Sequence, residues 1–293
     1  MSRQWAPGRI AAWFALGVML AITLLPLWIA LKTALVPNAT LFEQSARVVP
    51  ADPTLANFKR VLGQVSPEES IALGGSGADI NFARAVGNSV LFTAIVVVLQ
   101  TACAAMAGYA FARLRFPGRR TLFALCVGSM MVPGVVTILP NFVLMRELGW
   151  LNTMAGMVAP FCLMQGFSLF FLRQFFLSIP RDLEEAALLD GASQVYVFLR
   201  IVLPLSMAPI ATIAMLTGIN MWNEFFWPYL VAKDESLQVL PVALQTFKTQ
   251  TPQGQPDWTG LMAAATIAVL PTVVLLLVFG RRVVESVQFS GGK

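Results

Sequence analysis

The 293-residue chain contains no histidine. That excludes Ser-His-Asp catalysis, His-ligated zinc or haem, and imidazole proton relays. Charge is scarce too. Only 12% of residues are Asp, Glu, Lys or Arg, against roughly 25% in an ordinary soluble domain. With 57% hydrophobic residues and a mean hydropathy of +0.72, a water-soluble globule of this size would lack the polar surface it needs. A soluble enzyme is thereby excluded, and an integral membrane protein is expected. The three cysteines, Cys103, Cys126 and Cys162, lie in apolar stretches and form no C-x-x-C pair; they read as small packed hydrophobes. The sequence has no Gly-x-x-x-x-Gly-Lys-Ser/Thr phosphate loop, so the chain cannot cradle ATP in that way. No catalytic residue, metal ligand or cofactor is expected. The net charge of +5 is not read as a nucleic-acid signal, because in so apolar a chain the bilayer decides where basic residues sit.

What the chain has is length without charge. Residues 10–31, 85–112, 121–145, 148–172, 201–223 and 258–280 are free of Asp, Glu, Lys and Arg. Each reaches the about 20 apolar residues that a spanning helix needs. None shows the alternation of a membrane strand, and in lipid a helix satisfies its own backbone groups. The first stretch is too long in its apolar core for a cleaved signal peptide and reads as a span. Six spans put both termini on one side. That side holds 12 of the Lys and Arg residues and the other 8, and the tight turn from Arg113 to Arg120 is the densest cluster, which places both termini in the cytoplasm. The expected organisation is an N-terminal cytoplasmic segment and first helix (1–32), an external loop (33–84), a core with five spans and a cytoplasmic loop at 178–204 (85–280), and a cytoplasmic tail (281–293). Residues 73–78 read as a flexible external tip, and residues 249–256 as a polar, turn-forming external loop. Trp5, Trp150 and Trp258 read as interfacial anchors.

The cytoplasmic loop carries the most local information. Ser178 is a candidate N-cap, Pro180 sits in the first turn, and Asp182, Glu184 and Glu185 follow where a helix N-terminus favours negative charge. Leu183, Ala186, Ala187 and Leu189 are good helix formers. Gly191 suits a left-handed C-cap, and residues 192–199 can form a second short helix. The result is a helix-turn-helix at the membrane surface.

Glu185-Ala186-Ala187, three residues, Gly191, nine residues, Ile201, one residue and Leu203-Pro204 resemble the EAA loop of binding-protein-dependent ABC importer permeases. Chance would produce all seven positions somewhere in such a chain on the order of once in a million. Asn57-Phe58, Asn88-Ser89, the run from Ala107-Gly-Tyr-Ala-Phe-Ala-Arg to Gly118, the run from Leu148-Gly-Trp to Thr153, and Trp222-Asn-Glu-Phe225 extend the resemblance to the carbohydrate, maltose-type subfamily. The ending Ser290-Gly291-Gly292-Lys293 departs from the subfamily's tail. The resemblance implies an all-α membrane protein with the six helices of the type I, MetI-like permease fold. It also implies a second permease subunit, a cytoplasmic ABC ATPase dimer, an external solute-binding protein, a sugar or oligosaccharide substrate, and no nucleic acid. Glu184, Glu185, Ala186, Ala187, Asp190 and Gly191 are then the ATPase-coupling residues.

Asn220, Asn223 and Glu224, beside Trp222 and Trp227, are candidates for the substrate path, since amides, a carboxylate and aromatic faces suit sugars; equally they read as an outer aromatic belt. Gln250, Gln253 and Gly254 resemble the loop that probes the binding protein, or else form a plain turn. Rival readings are a permease for glycerol phosphate, phosphate or a peptide, and a gradient-driven carrier. A carrier would need ionisable groups at mid-membrane. A membrane enzyme would need convergent acids and bases, and the sequence offers almost no candidates for buried carboxylates.

Overall fold

A computed structural model describes residues 7–77, 80–248 and 255–288. Trp5, the 290–293 tail, and Gln250, Gln253 and Gly254 lie outside the described residues. The fold is helical, with no β-sheet among the described residues. The principal helices are α1 (Pro7–Leu35), α2 (Phe82–Arg113), α3 (Arg119–Gly128), α4 (Gly134–Glu147), α5 (Met154–Val158), α6 (Gly166–Ser178), α7 (Asp182–Leu189), α8 (Gln194–Val197), α9 (Met207–Trp222) and α10 (Trp258–Gln288).

Among the described residues three helices, α1, α2 and α10, are long and apolar enough to cross a membrane; counting three bent pairs as one span each gives six. The interior stretches expected as spans over 121–145, 148–172 and 201–223 are therefore broken rather than straight, with bends of 102°, 51° and 77°. Proline and unwound residues account for each break. Val132, ahead of Pro133, is extended (φ −81°, ψ 115°), as the proline ring requires of its predecessor. Pro160 sits at the start of a short 3-10 turn over Ala159–Phe161, and Gln165 is extended (φ −83°, ψ 146°) ahead of α6. Before Pro204 the helix widens into a π-turn over Phe198–Val202, which avoids the clash a proline makes in a regular α-helix. Ser206 then leaves helical geometry, its Oγ donating to Val202 O at 2.6 Å.

The chain divides into two compact units, Met1–Ala83 with Ala243–Leu270, and Arg84–Val242 with Pro271–Lys293. In the first, the stretch expected as a long loop is built. Helix Ala56–Val61 carries buried Asn57, whose Nδ2 donates to Ala34 O and Val36 O, both at 2.8 Å; these are carbonyls at the C-terminal end of α1, where intrahelical partners run out. Helix Pro67–Ala72 starts at Ser66, whose hydroxyl accepts from Glu69 N. The expected flexible tip is tied down, because Gly75 N donates to Ser70 O and Ser76 N to Asp257 Oδ2. Arg60 and Asp257 form a buried ion pair. Burial alone would raise the Asp257 carboxyl, but Arg60 and the N–H groups of Gly260 and Ser76 outweigh it and hold the pKa below its ordinary value.

Among the described residues of the second unit, apolar side chains form clusters around the broken spans. One packs Phe92, Val96, Met157, Met221, Trp227 and Val231. Another packs Tyr109, Leu172, Phe176, Val197, Val202 and Ile213. Gln100 is buried midway along α2. Its Nε2 donates to Phe161 O at 3.1 Å and its Oε1 accepts from Thr217 Oγ1 at 2.8 Å. Phe161 sits at the α5–α6 break, where its carbonyl has lost a helical partner, so a mid-span amide repairs the broken helix. Near the other ends of these helices, Asn88 Nδ2 donates to Ser236 O and Gln238 O, and Ser89 Oγ accepts from Leu240 N at 2.7 Å. Asn152, in the left-handed conformation (φ 55°), accepts from Lys233 N and Asp234 N. The segment 233–242 is thus pinned to α2 and to the α4–α5 turn.

Candidate functional site

The hairpin of α7 and α8 begins where α6 ends. Ser178 is the last residue of α6, and its Oγ donates to Phe175 O at 2.7 Å, so it is not the N-cap of the next helix. Pro180 forces Ile179 to extended geometry (φ −72°, ψ 130°). The chain turns there, and α7 starts later, with Arg181 at its cap and Asp182, Glu184 and Glu185 in its first turn. Its end is as the sequence leads one to expect. Gly191 has φ +88°, Gly191 N donates to Leu188 O at 3.1 Å, and Ala192 N to Ala187 O at 3.0 Å. That pair of bonds is a Schellman cap, with Ala187 and Ala192 both packed on the apolar cluster below. The second helix is shorter than 192–199: α8 spans four residues, capped by Ser193 Oγ accepting from Tyr196 N at 3.2 Å.

The end of α2 holds the hairpin from behind. Arg113 Nε lies 2.6 Å from Glu184 Oε1 with the two side chains only 6% and 8% exposed. Arg113 Nη2 also donates to Ile179 O at 2.7 Å. One turn earlier, Tyr109 OH is 3.0 Å from Gln194 Oε1, and its ring contacts those of Phe176 and Phe198. Arg173 Nε donates to Phe111 O at 3.2 Å. The run Tyr109–Arg113 and the hairpin, separate motifs in the sequence, therefore form one assembly. Arg113, read from the sequence as topology-setting charge, is also a buried strut.

This packing sorts the coupling candidates. Glu184 points inward and Ala187 is half-buried, while Glu185, Ala186, Asp190 and Gly191 are exposed. Between them Leu189 is 89% exposed, with Val195 and Tyr196 exposed on α8. A rigid hairpin carrying bare apolar side chains beside carboxylates has the chemistry of a protein-docking surface.

The family model described as binding-protein-dependent transport system inner membrane component matches residues 100–288. The chain belongs to this family. This inner membrane component is 29% identical over 292 residues (99% of this chain, 91% of the relative) to the probable ABC transporter permease protein YurM of Bacillus subtilis. It is 34% identical over 207 residues (71% and 73%) to the arabinooligosaccharides transport system permease protein AraQ of Halalkalibacterium halodurans. Against the trehalose/maltose transport system permease protein MalG of Thermococcus litoralis, identity is 30% over 233 residues (79% and 78%). Its fold matches a chain in the crystal structure of a bacterial ABC transporter involved in the import of the acidic polysaccharide alginate, with a TM-score of 0.80 over 96% of this chain and 99% of that one, at 22% identity. The architecture is the type I, MetI-like permease fold.

In the permease the substrate-path candidates do not converge. Asn220 and Asn223 are exposed, and Asn223 Nδ2 donates to Ile219 O of its own helix at 2.7 Å. Glu224 is half-buried, its Oε1 accepting from Trp227 N at 3.1 Å, where it caps the short helix Phe226–Val231. Trp227 is core, its Nε1 donating to Gly156 O at 3.1 Å. Sequence reasoning passed over Gln100, Arg60, Asp257 and the Arg113–Glu184 pair. For Gln100 the signal was a lone amide in the middle of an apolar run. For the two ion pairs no local signal exists, and the two buried carboxylates correct the expectation that there are almost none.

Proposed function

We propose that this permease forms half of the translocation path of an ATP-driven importer for a sugar or oligosaccharide, and that α7 takes up the motion of a cytoplasmic ATPase. The observation that carries the reading is the surface at the end of α7: Leu189 and Glu185 exposed on the helix and Asp190 exposed at its C-cap, braced from behind by Arg113–Glu184. A short helix fixed to the ends of α2 and α6 acts as a lever, because a push on it cannot be absorbed locally and passes into the spans. Energy comes from a separate subunit, since the chain has no phosphate loop of its own.

The assembly has a second permease, an ATPase pair below and a solute-binding protein outside. Both termini are cytoplasmic, so residues 33–84 and 233–257 face outward, and Gln250, Gln253 and Gly254 meet the binding protein. Glu185, Ala186, Ala187, Asp190 and Gly191 form the ATPase contact or its immediate support, and Glu184 acts from inside as the strut. Asn220, Asn223 and Glu224 stand beside the substrate path. Relatives named for arabinooligosaccharides, diacetylchitobiose and trehalose/maltose support a sugar cargo. A second reading, glycerol phosphate, is favoured by the 29% identity over 272 residues to the sn-glycerol-3-phosphate permease UgpE of Salmonella typhi.

The test is purification of the complex and reconstitution into proteoliposomes. The expected outcome is co-purification of an ATPase and a second permease, and uptake that needs ATP and a binding protein loaded with oligosaccharide. A Cys at position 189 should crosslink to the ATPase. Uptake driven by an ion gradient without ATP, or a crosslink to an external protein, would overturn the proposal. Glycerol phosphate on the binding protein would select the second reading.

A further inference from the structure

The external unit contains a buried polar assembly that the transport reading leaves unused. The Arg60 and Asp257 side chains are 2% and 0% exposed. Arg60 Nη1 reaches Asp257 Oδ2 at 2.6 Å, and Nη2 reaches Asp257 Oδ1 at 3.2 Å, Asn57 Oδ1 at 2.8 Å and Thr259 Oγ1 at 2.9 Å. Asp257 also accepts from Gly260 N at 2.8 Å and from Ser76 N at 3.1 Å. Through Asn57, the same network reaches the last carbonyls of α1. Four pieces therefore meet at one guanidinium–carboxylate pair: the end of α1, helix Ala56–Val61, the Gly75–Ser76 strip and the first turn of α10. Asp257 also directly follows the polar tract 249–256.

Stability alone does not explain such a pair. Desolvating two charges is costly, and a well-packed apolar plug stabilises as well or better. What the planar fork adds is fixed orientation of the pieces it joins. Gly75 is part of the device, since a Cβ there would lie 1.7 Å from Arg60 Nη1.

We propose that the Arg60–Asp257 clasp is a positioning device for docking of the external binding protein. It makes the 33–77 segment and the start of α10 one preformed piece, so that docking acts on the last span without first ordering a loop. Arg60 and Asp257 are positioning residues and, being buried, touch no partner. The inference rests on the reading above that this unit faces outward.

The experiment compares basal ATPase, binding-protein-stimulated ATPase and binding-protein affinity in the full reconstituted complex for wild type, Arg60→Lys, Asp257→Asn and Gly75→Ala. Basal hydrolysis should stay within about twofold, whereas stimulation and affinity should each fall about tenfold or more. Gly75→Ala should match the charge variants, because it displaces the guanidinium without altering charge. Exchanging the pair (Arg60→Asp with Asp257→Arg) should not rescue, because an arginine at 257 cannot accept from the Ser76 and Gly260 amides. Stimulation and affinity equal to wild type in these variants would overturn the clasp. A readout independent of the variants is hydrogen exchange on the wild-type complex, where the Ser76 and Gly260 amides should be protected equally with and without binding protein. Protection appearing only on docking would also overturn it. A wild-type complex that no binding protein stimulates would instead count against the importer reading.

Discussion

Removing Glu184 isolates the strut behind α7. In Glu184→Ala the Arg113 guanidinium loses a carboxylate 2.6 Å away in a site where both side chains are less than a tenth exposed, so solvent screens little of the loss. Breaking a buried pair from one side costs about 3–5 kcal/mol. Arg113 keeps its bond to Ile179 O, which partly compensates the orphaned charge and puts the cost near the low end, about 3 kcal/mol. At about 1.4 kcal/mol per decade, that is roughly a hundredfold rise in the population of opened hairpin. Hydrogen exchange of the α7 amides reads this directly, with amides in the middle of α9 as internal reference. Arg113→Ala should give a similar loosening. The double variant Arg113→Met/Glu184→Met, which removes both charges and keeps the volume, should recover to within about 1 kcal/mol of wild type. Exchange in α7 that changes less than threefold in the single variants, or a double variant as loose as the two singles combined, would refute the strut. Under the importer reading, the loosened singles should also hydrolyse more ATP per solute moved.

Gly191→Asn keeps a residue that tolerates the left-handed conformation, so α7 should stay capped; Gly191→Leu should cost about 1–2 kcal/mol of local stability by backbone strain. Apart from its chain neighbours, no atom of the described residues lies within 4 Å of the added Cβ, so under the importer reading an ATPase defect common to both would locate the steric constraint on the partner, and normal coupling in both would remove Gly191 from the proposed contact. Gln100→Leu leaves the Phe161 carbonyl without a donor and should destabilise the permease by about 1–3 kcal/mol, read as a lower thermal midpoint in detergent; an unchanged midpoint would mean that the break does not depend on Gln100. For pH, Asp257 is held below its ordinary value of 3.8, so its contribution is fully present above that value and is lost as pH falls through the lower folded one. Protection of the Ser76 and Gly260 amides, corrected for intrinsic rates, should be flat from about pH 8 to 5 and fall only below about pH 4; loss of protection near neutral pH would contradict the geometry.

The sequence-legible parts share one feature: each depends on neighbours along the chain or on the solvent. The six apolar stretches follow from composition against the thickness of a bilayer. The α7 end follows from Gly191, whose left-handed φ no side chain opposes, and the family assignment from the spacing between Glu185 and Pro204. Even within this local reach some reasoning failed. Ser178 has the residue type of a cap, but Pro180 delays the next helix past it. The 73–78 run has the composition of a flexible tip, but Gly75 lets the backbone pass against Arg60, so a residue that suits a loop serves close packing.

By itself, then, the sequence determined the class: a multi-pass helical permease, with the α7–α8 hairpin placed to within a few residues, because hydropathy, capping and motif spacing are local quantities. Only the tertiary structure decided which polar groups are structural. Arg60 and Asp257 are 197 residues apart, Gln100 and Thr217 are 117 apart, and nothing near either member of a pair announces the other. A charge or amide inside an apolar fold is tolerated only where a partner with matching geometry arrives, and that arrival is fixed by how the helices pack.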